Sequence, residues 1–333
     1  MSDKYNDSDY LYLTAVLRAR QANMLSSEIF EQMLATGDFR DAANILTESG
    51  WTDMSDMDSS EIDSCLNEYK NSIFEDLSKY VPHKEVLDLF RVKYDYHNAK
   101  CIVKGEGIGS SPDDIISGIG RVSSEKLKKA YVEDDYRFIP LDLANAVIES
   151  KKILARTNNP QLADFILDKA LYTEMLSIAK ELGNQFLINY VKLNIDGANL
   201  RTIVRCIRMN KDASFVENAL IEGGTISNER ILQSFSSGDG ALNLYSVTNY
   251  KDAAILGAEA VKGGRLTEFE LECDNTVNRY IKDAKLRGFG PEAVAGYLSA
   301  VENNITSVRM ILTGLLAGIS PNTLRERLRL SYV

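Results

Sequence analysis

The chain of 333 residues is long enough for two or three domains with ample buried core. Its 48 acidic against 38 basic side chains leave a net charge of −10, which argues against nucleic acid and against electrostatic adsorption to anionic lipid as main functions. No apolar run reaches the roughly 20 residues that span a bilayer, so no direct membrane span is expected.

In chain order, the opening MSDKYNDSDY is polar and acidic and does not read as a signal peptide. The stretch Trp51–Glu61, WTDMSDMDSSE, is unusually acidic, and its pattern assigns it no role. Six prolines in the whole chain favour long helices. LFRVKYDYHNAKCIVKG (Leu89 to Gly105) gathers Lys93, Tyr94, Asp95, Tyr96, His97, Asn98 and Lys100 on one segment. The glycines of GEGIG (Gly105 to Gly109) read as a flexible connector: the full G-x-G-x-x-G is missing, and no strand precedes it. At the far end Val294, Leu298, Val301, Ile305, Val308, Leu312, Leu315 and Ile319 alternate steps of four and three, one apolar stripe on one helix. No comparable period-two alternation occurs, so the fold class is all-α.

The polar segment recurs. With Asp95, Asp196 and Asn304 in register, 101 and 108 residues apart, the third following position holds Asn98, Asn199 and Ser307. The fifth holds Lys100, Arg201 and Arg309, the seventh Ile102, Ile203 and Ile311, and the eighth Val103, Val204 and Leu312. Three residues before the register position stand Val92, Leu193 and Val301, and six before it Leu89, Tyr190 and Leu298. Sixteen residues on stand Ser111, Asp212 and Ser320, all good N-caps, followed by Pro112, Ala213 and Pro321 and then by apolar Ile115, Val216 and Leu324. Gly105, Gly107 and Gly109, and in the last copy Gly314 and Gly318, are placed to break the chain before that cap. Copies one and two share one more phrase, GRVSSEKL and GTISNERI, ending at Leu127 and Ile231. Three similar helical domains are therefore expected: 1–135 with an N-terminal extension, 136–245 and 246–333. Superposable long helices carrying Asp95, Asp196 and Asn304 are expected in them.

Chemistry-bearing motifs are absent. There is no Gly-Lys dipeptide and hence no phosphate loop, no H-E-x-x-H with only His83 and His97 in the chain, and no G-x-S-x-G. Cys65, Cys101, Cys206 and Cys273 lack C-x-x-C spacing and read as buried small hydrophobes in a reducing compartment. Asp134–Asp135 and Asp113–Asp114 read as solvated helix ends. His97 is replaced by Ala198 and Thr306 in the other copies, so a general base there is not supported. The repeated Asp/Asn pair is one helical turn apart and reads as a set of polar positions for packing between similar domains, with the basic residue on another side of the helix. Catalytic, cofactor-binding and metal-binding residues: none. The runner-up reading is a helical-repeat scaffold binding other partners, but solenoid repeats usually run about 20 to 50 residues and these exceed 100.

Five phrases also carry a resemblance. YLYLTAVLRARQANMLS (Tyr10 to Ser26), EQMLATGDFRDAANIL (Glu31 to Leu46), LFRVKYDYHNAK (Leu89 to Lys100), NYVKLNIDGANLRTI (Asn189 to Ile203) and YLSAVENNITSVRMI (Tyr297 to Ile311) resemble, in this order, the C subunit of the archaeal and bacterial V-type (A-type) ATPases, whose eukaryotic relative is the d subunit of the vacuolar ATPase. Asn304 and Ser307 depart from the acid and asparagine more usual in that family. The resemblance implies three helical domains forming a funnel with pseudo-threefold symmetry, seated on the membrane rotor ring and receiving the central shaft made of the D and F subunits. It implies a non-catalytic coupling in the central stalk, peripheral on the cytoplasmic face, that passes torque for hydrogen-ion or sodium-ion transport and ATP synthesis or hydrolysis.

Overall fold

Helix signals saturate the chain, and the computed structural model, which describes residues 5–108, 116–235 and 240–332, shows α-helices, short 3₁₀ turns and no strand among them. The helices are α1 (Leu11–Gln21), α2 (Ser27–Thr36), α3 (Phe39–Glu48), α4 (Ser59–Leu77), α5 (Glu85–Ile108), α6 (Ser124–Glu133), α7 (Leu141–Thr157), α8 (Pro160–Leu182), α9 (Gln185–Arg208), α10 (Ala213–Ala219), α11 (Asn228–Phe235), α12 (Gly240–Asn243), α13 (Lys251–Val261), α14 (Leu266–Lys282), α15 (Pro291–Leu316) and α16 (Pro321–Arg325). The fold class is all-α, as expected.

The chain divides into two compact units, His83–Tyr245 and Tyr5–Pro82 with Ser246–Val333. The first joins the expected second domain to the part of the expected first domain that begins at His83. Tyr5–Pro82, assigned from the sequence to the first domain, clusters with the expected third.

In the unit His83–Tyr245, α8 packs against α5, α7 and α9, and α6 returns onto α5. Leu89, Val92 and Tyr96 of α5, Leu143 and Val147 of α7, Leu167 of α8 and Leu187 and Val191 of α9 are all but inaccessible. Phe90 of α5 stacks on Tyr190 of α9, ring centroids 5.7 Å apart. Asn159 before Pro160 starts α8, its side chain accepting from the Gln161 amide, and Gly183 in the left-handed region ends it.

In the other unit, α15 is the central element, with α1, α2, α3, α4 and α14 against it. The seven stripe residues from Val294 to Leu315 are all buried, each contributing about 1.5–3 kcal/mol. The stripe reading understated the burial, because Ala295, Tyr297, Ala300 and Ile311 on other sides of α15 are buried too. Ile319 lies beyond the helix. Gly318 at φ +73 turns the chain, its amide donating to the Leu315 carbonyl while the Ile319 amide donates to Gly314, a Schellman closure. Gly314 itself does not break the helix. It lies inside α15, where a Cβ would collide with Leu324 of α16.

The acidic stretch after α3 acquires a role here. Asp53 accepts from the Ser55 amide, and Asp58 and Glu61 form a capping box at the start of α4. Met54 is buried, and Trp51 packs on Tyr69 with ring centroids 4.6 Å apart.

Candidate functional site

The three register positions fall on the three longest helices, α5, α9 and α15, and the apolar register positions on those helices are all buried: Leu89, Tyr190, Leu298; Val92, Leu193, Val301; Ile102, Ile203, Ile311; Val103, Val204, Leu312. Asp95, Asp196 and Asn304, and Asn98, Asn199 and Ser307, are buried as well. A buried polar group is costly unless bonded, so the partners of these six side chains define what the repeat does.

In copy one the chain returns after α5 and crosses it again at residues 117–122. The Asn98 side-chain amide donates to the Ser117 carbonyl and accepts from the Ser117 amide, both at 2.8 Å. One turn away, Asp95 Oδ1 accepts from the Val122 amide at 3.1 Å. In copy two the same construction recurs on α9. Asn199 bonds the carbonyl and amide of Ile221, again both at 2.8 Å. Asp196 Oδ1 accepts from the Thr225 amide at 2.9 Å, and its other oxygen accepts from the Thr225 hydroxyl. Each pair is a latch: two buried side chains one turn apart supply the hydrogen bonds that an irregular return segment cannot make for itself.

The shared phrase explains its glycine. Gly120 and Gly224 lie against the carboxylates of Asp95 and Asp196, where an added Cβ would fall well inside contact distance of Oδ1. Neither needs a left-handed backbone, so what selects glycine is space.

Copy one adds a buried ion network. Arg121 donates from Nε to Asp95 Oδ2 at 2.6 Å and from Nη1 to Glu174 Oε1 of α8 at 2.7 Å. The Tyr96 hydroxyl donates to Glu174 Oε2 at 2.8 Å. Burial pushes the Asp95 carboxyl up, against the pull of Arg121 and the Val122 amide. Burial and the Glu174 carboxylate keep Tyr96 a neutral phenol, and the two carboxylates hold Arg121 protonated. Copy two has Thr225 in place of Arg121 and makes no such bridge.

Copy three departs, as its residues do. Asn304 makes no latch, and its Oδ1 is buried without a partner. The preceding Asn303 donates instead to the Leu330 carbonyl at 2.7 Å, and Asn275 of α14 accepts from the Leu330 amide at 2.9 Å.

Three expectations from the sequence are corrected. The Asp/Asn pair holds the return segment of its own copy; Arg121, which no pattern singled out, extends the Asp95 latch to Glu174 of α8. Gly105 and Gly107 belong to α5, which runs to Ile108, so GEGIG is not a connector up to that point; Gly109 lies outside the described residues. Cys65 is half-buried where full burial was expected, while Cys101, Cys206 and Cys273 are buried. The caps at Asp212 and Ser320 are present, accepting from the amides of Phe215 and Thr323. Ser111, Pro112, Asp113, Asp114 and Ile115 lie outside the described residues. Asp134 pairs with Lys151, and Arg137 beside Asp135 holds that half-buried carboxyl down at about 2. His97 is exposed, its Nε2 at 3.6 Å from Cys101 Sγ, on a different side of α5 from the buried Asp95 and Asn98.

Among the described residues no group of three or more His, Cys, Asp or Glu is placed to hold a metal, and no helix is long and apolar enough to cross a membrane. Each latch is a holding device for the backbone.

The profile of the ATP synthase (C/AC39) subunit family matches residues 13–327. The C subunit of the V-type sodium ATPase of Enterococcus hirae is 24% identical over 329 residues, covering 97% of this chain and 99% of the relative. The C subunit of the A-type ATP synthase of Pyrococcus horikoshii is 24% identical over 336 residues, covering 95% and 89%. The C subunit of the V-type ATP synthase of Thermus thermophilus is 23% identical over 205 residues, 58% of this chain and 62% of its own. A profile match running from α1 to the segment after α16 shows that the chain belongs to the ATP synthase (C/AC39) subunit family, the non-catalytic C subunits of V-type and A-type ATPases.

Proposed function

We propose that this protein is the rotor coupling of the central stalk in a V-type or A-type ATPase. It links the soluble shaft of the D and F subunits to the membrane rotor ring, at the cytoplasmic face, and passes torque between ATP chemistry and ion transport. The observation that carries the reading is the match to C subunits of such complexes, covering 97% of this chain and 99% of the Enterococcus hirae relative. The division into three similar helical domains belongs to the same proposal and is supported by the register of α5, α9 and α15.

The physics of the latches supports it. A torque-bearing part must not hinge at its loops. Where return segments are bonded to buried side chains, opening a loop exposes a carboxylate and an amide to an apolar interior without partners, which costs several kcal/mol.

The test is a pair of disulfide cross-links in the assembled complex, one from this chain to the rotor ring and one to the stator. The ring link leaves coupled ion transport intact, because both partners turn together. The stator link arrests it until reductant is added. Arrest by the ring link with a harmless stator link would place the chain in the stator and end the rotor reading.

A further inference from the structure

The cation five residues beyond the latch position is not used by the latch. In copy one it is Lys100, whose Nζ lies 2.5 Å from Asp168 Oδ1 on α8, both side chains largely shielded. In copy three it is Arg309, whose Nε lies 2.5 Å from Asp63 Oδ1 on α4. The two acids hold matching places. α8 leads into α9, and Asp168 stands 28 residues before Asp196; α4 leads into α5, and Asp63 stands 32 residues before Asp95. The same register position therefore reaches, in each unit, to the helix that precedes another copy's long helix.

On the α5–α8 side the tie is one rung of a ladder. Lys104 pairs with Asp164 at 2.6 Å, one turn along each helix from Lys100 and Asp168. Arg121, carried by the return segment latched to α5, pairs with Glu174 at 2.7 Å. Charge is fully sorted: every acid of these pairs is on α8, and every cation is on α5 or on the segment fixed to it. Water and salt screen the partly buried charges of Lys100, Asp164 and Glu174 less than they screen exposed ones.

We infer that the cation five residues after the latch position, Lys100 in copy one and Arg309 in copy three, is a positioning residue that ties a long helix to the lead-in helix of another copy, and that the α5–α8 ladder is a torque-transmitting contact between copies one and two. The latches fix copies one and two internally, and the ladder fixes α5 against sliding along α8. The torque-transmitting part rests on the coupling role proposed above.

The experiment uses three forms of the full chain: wild type, the reversed K100E/K104E, and the swapped K100E/K104E/D164K/D168K. K100Q serves as a milder variant should the reversal fail to fold. Amide hydrogen exchange of the isolated chain reads the seam, and ions moved per ATP hydrolysed in the reconstituted complex reads the transmission of torque. The expected result is about tenfold faster exchange in α5 and α8 for K100E/K104E, confined to those helices, with fewer ions moved per ATP, and recovery of both in the swapped form. Unchanged exchange in K100E/K104E or K100Q overturns the ladder. Faster exchange with an unchanged ratio of ions to ATP overturns its torque-transmitting role. Neither result touches the rotor reading, which stands or falls on the ring and stator cross-links.

Discussion

Replacing Gly224 by alanine is the sharpest probe of the latch. The new methyl group would overlap Asp196 Oδ1 and approach Ile195 Cγ2 to 3.2 Å. The carboxylate can escape only by rotating, and rotation breaks its bonds to the amide and hydroxyl of Thr225. Bonds to a charged acceptor are worth about 1.5–3 kcal/mol each, and overpacking alone costs about 1–3 kcal/mol. Against this, alanine removes unfolded-state freedom and returns about 0.4–1 kcal/mol. A net loss of at least about 3 kcal/mol follows from these ranges. Urea unfolding followed by circular dichroism measures it, as a fall in midpoint at unchanged slope. Gly118→Ala is the internal control, since its Cβ would meet nothing within 4 Å and its backbone is not left-handed. Combining Gly224→Ala with Asp196→Ala removes the clash, so the two losses should fall short of additive. If Gly224→Ala is as stable as Gly118→Ala, the glycine is not there to admit the carboxylate and the latch argument fails.

Arg121→Met leaves the side chains of Asp95 and Glu174, 0% and 8% exposed, without their shared cation, a loss of about 3–5 kcal/mol at pH 7 that shrinks as pH falls and the Asp95 carboxyl, pushed up by burial, takes up a proton. Adding D95N and E174Q to it should restore most of the stability, and a triple variant no better than the single one would contradict the charge argument. Burial raises the Asp196 carboxyl, only partly opposed by Thr225 and the Ile226 amide. Its contribution is therefore fully present below the unfolded pKa of about 3.9 and is lost as pH rises through the higher folded value. The stability of wild type minus that of D196N should fall between pH 3 and pH 7, and urea midpoints at the two ends that show a rise would reverse the assignment. His97→Gln should change the melting free energy by no more than about 0.5 kcal/mol and leave ion transport intact, as expected for an exposed side chain outside the latch; loss of transport in a folded, assembled variant would reinstate the histidine as functional.

Much of the architecture is legible from residues alone, because it is local. Helix formation depends on spacing and capping within a few residues, so the apolar steps of α15, the caps at Asp212 and Ser320 and the threefold register of Asp95, Asp196 and Asn304 can be read directly, and the register phrases carry the family. Reading the polar pair as structural instead of catalytic also needs only the sequence: the histidine does not recur and the pair does.

The partners of that pair depend on tertiary structure. Asn98 is bonded 19 residues downstream and Asn199 22 residues downstream, across connectors of different length, so no common spacing marks the contact. Arg121 becomes a bridge only because α8 brings Glu174 to it from 53 residues away, while copy two, with Thr225, closes the same latch without a cation. Tyr5–Pro82 clusters with Ser246–Val333 through apolar contacts between elements more than 200 residues apart, such as α1 and α4 on α15. Periodicity tells which face of a helix is buried but not against what, because burial rewards any complementary apolar surface equally; the choice among surfaces is made by shape and by the bonding of buried polar groups, which exist only once the chain has folded.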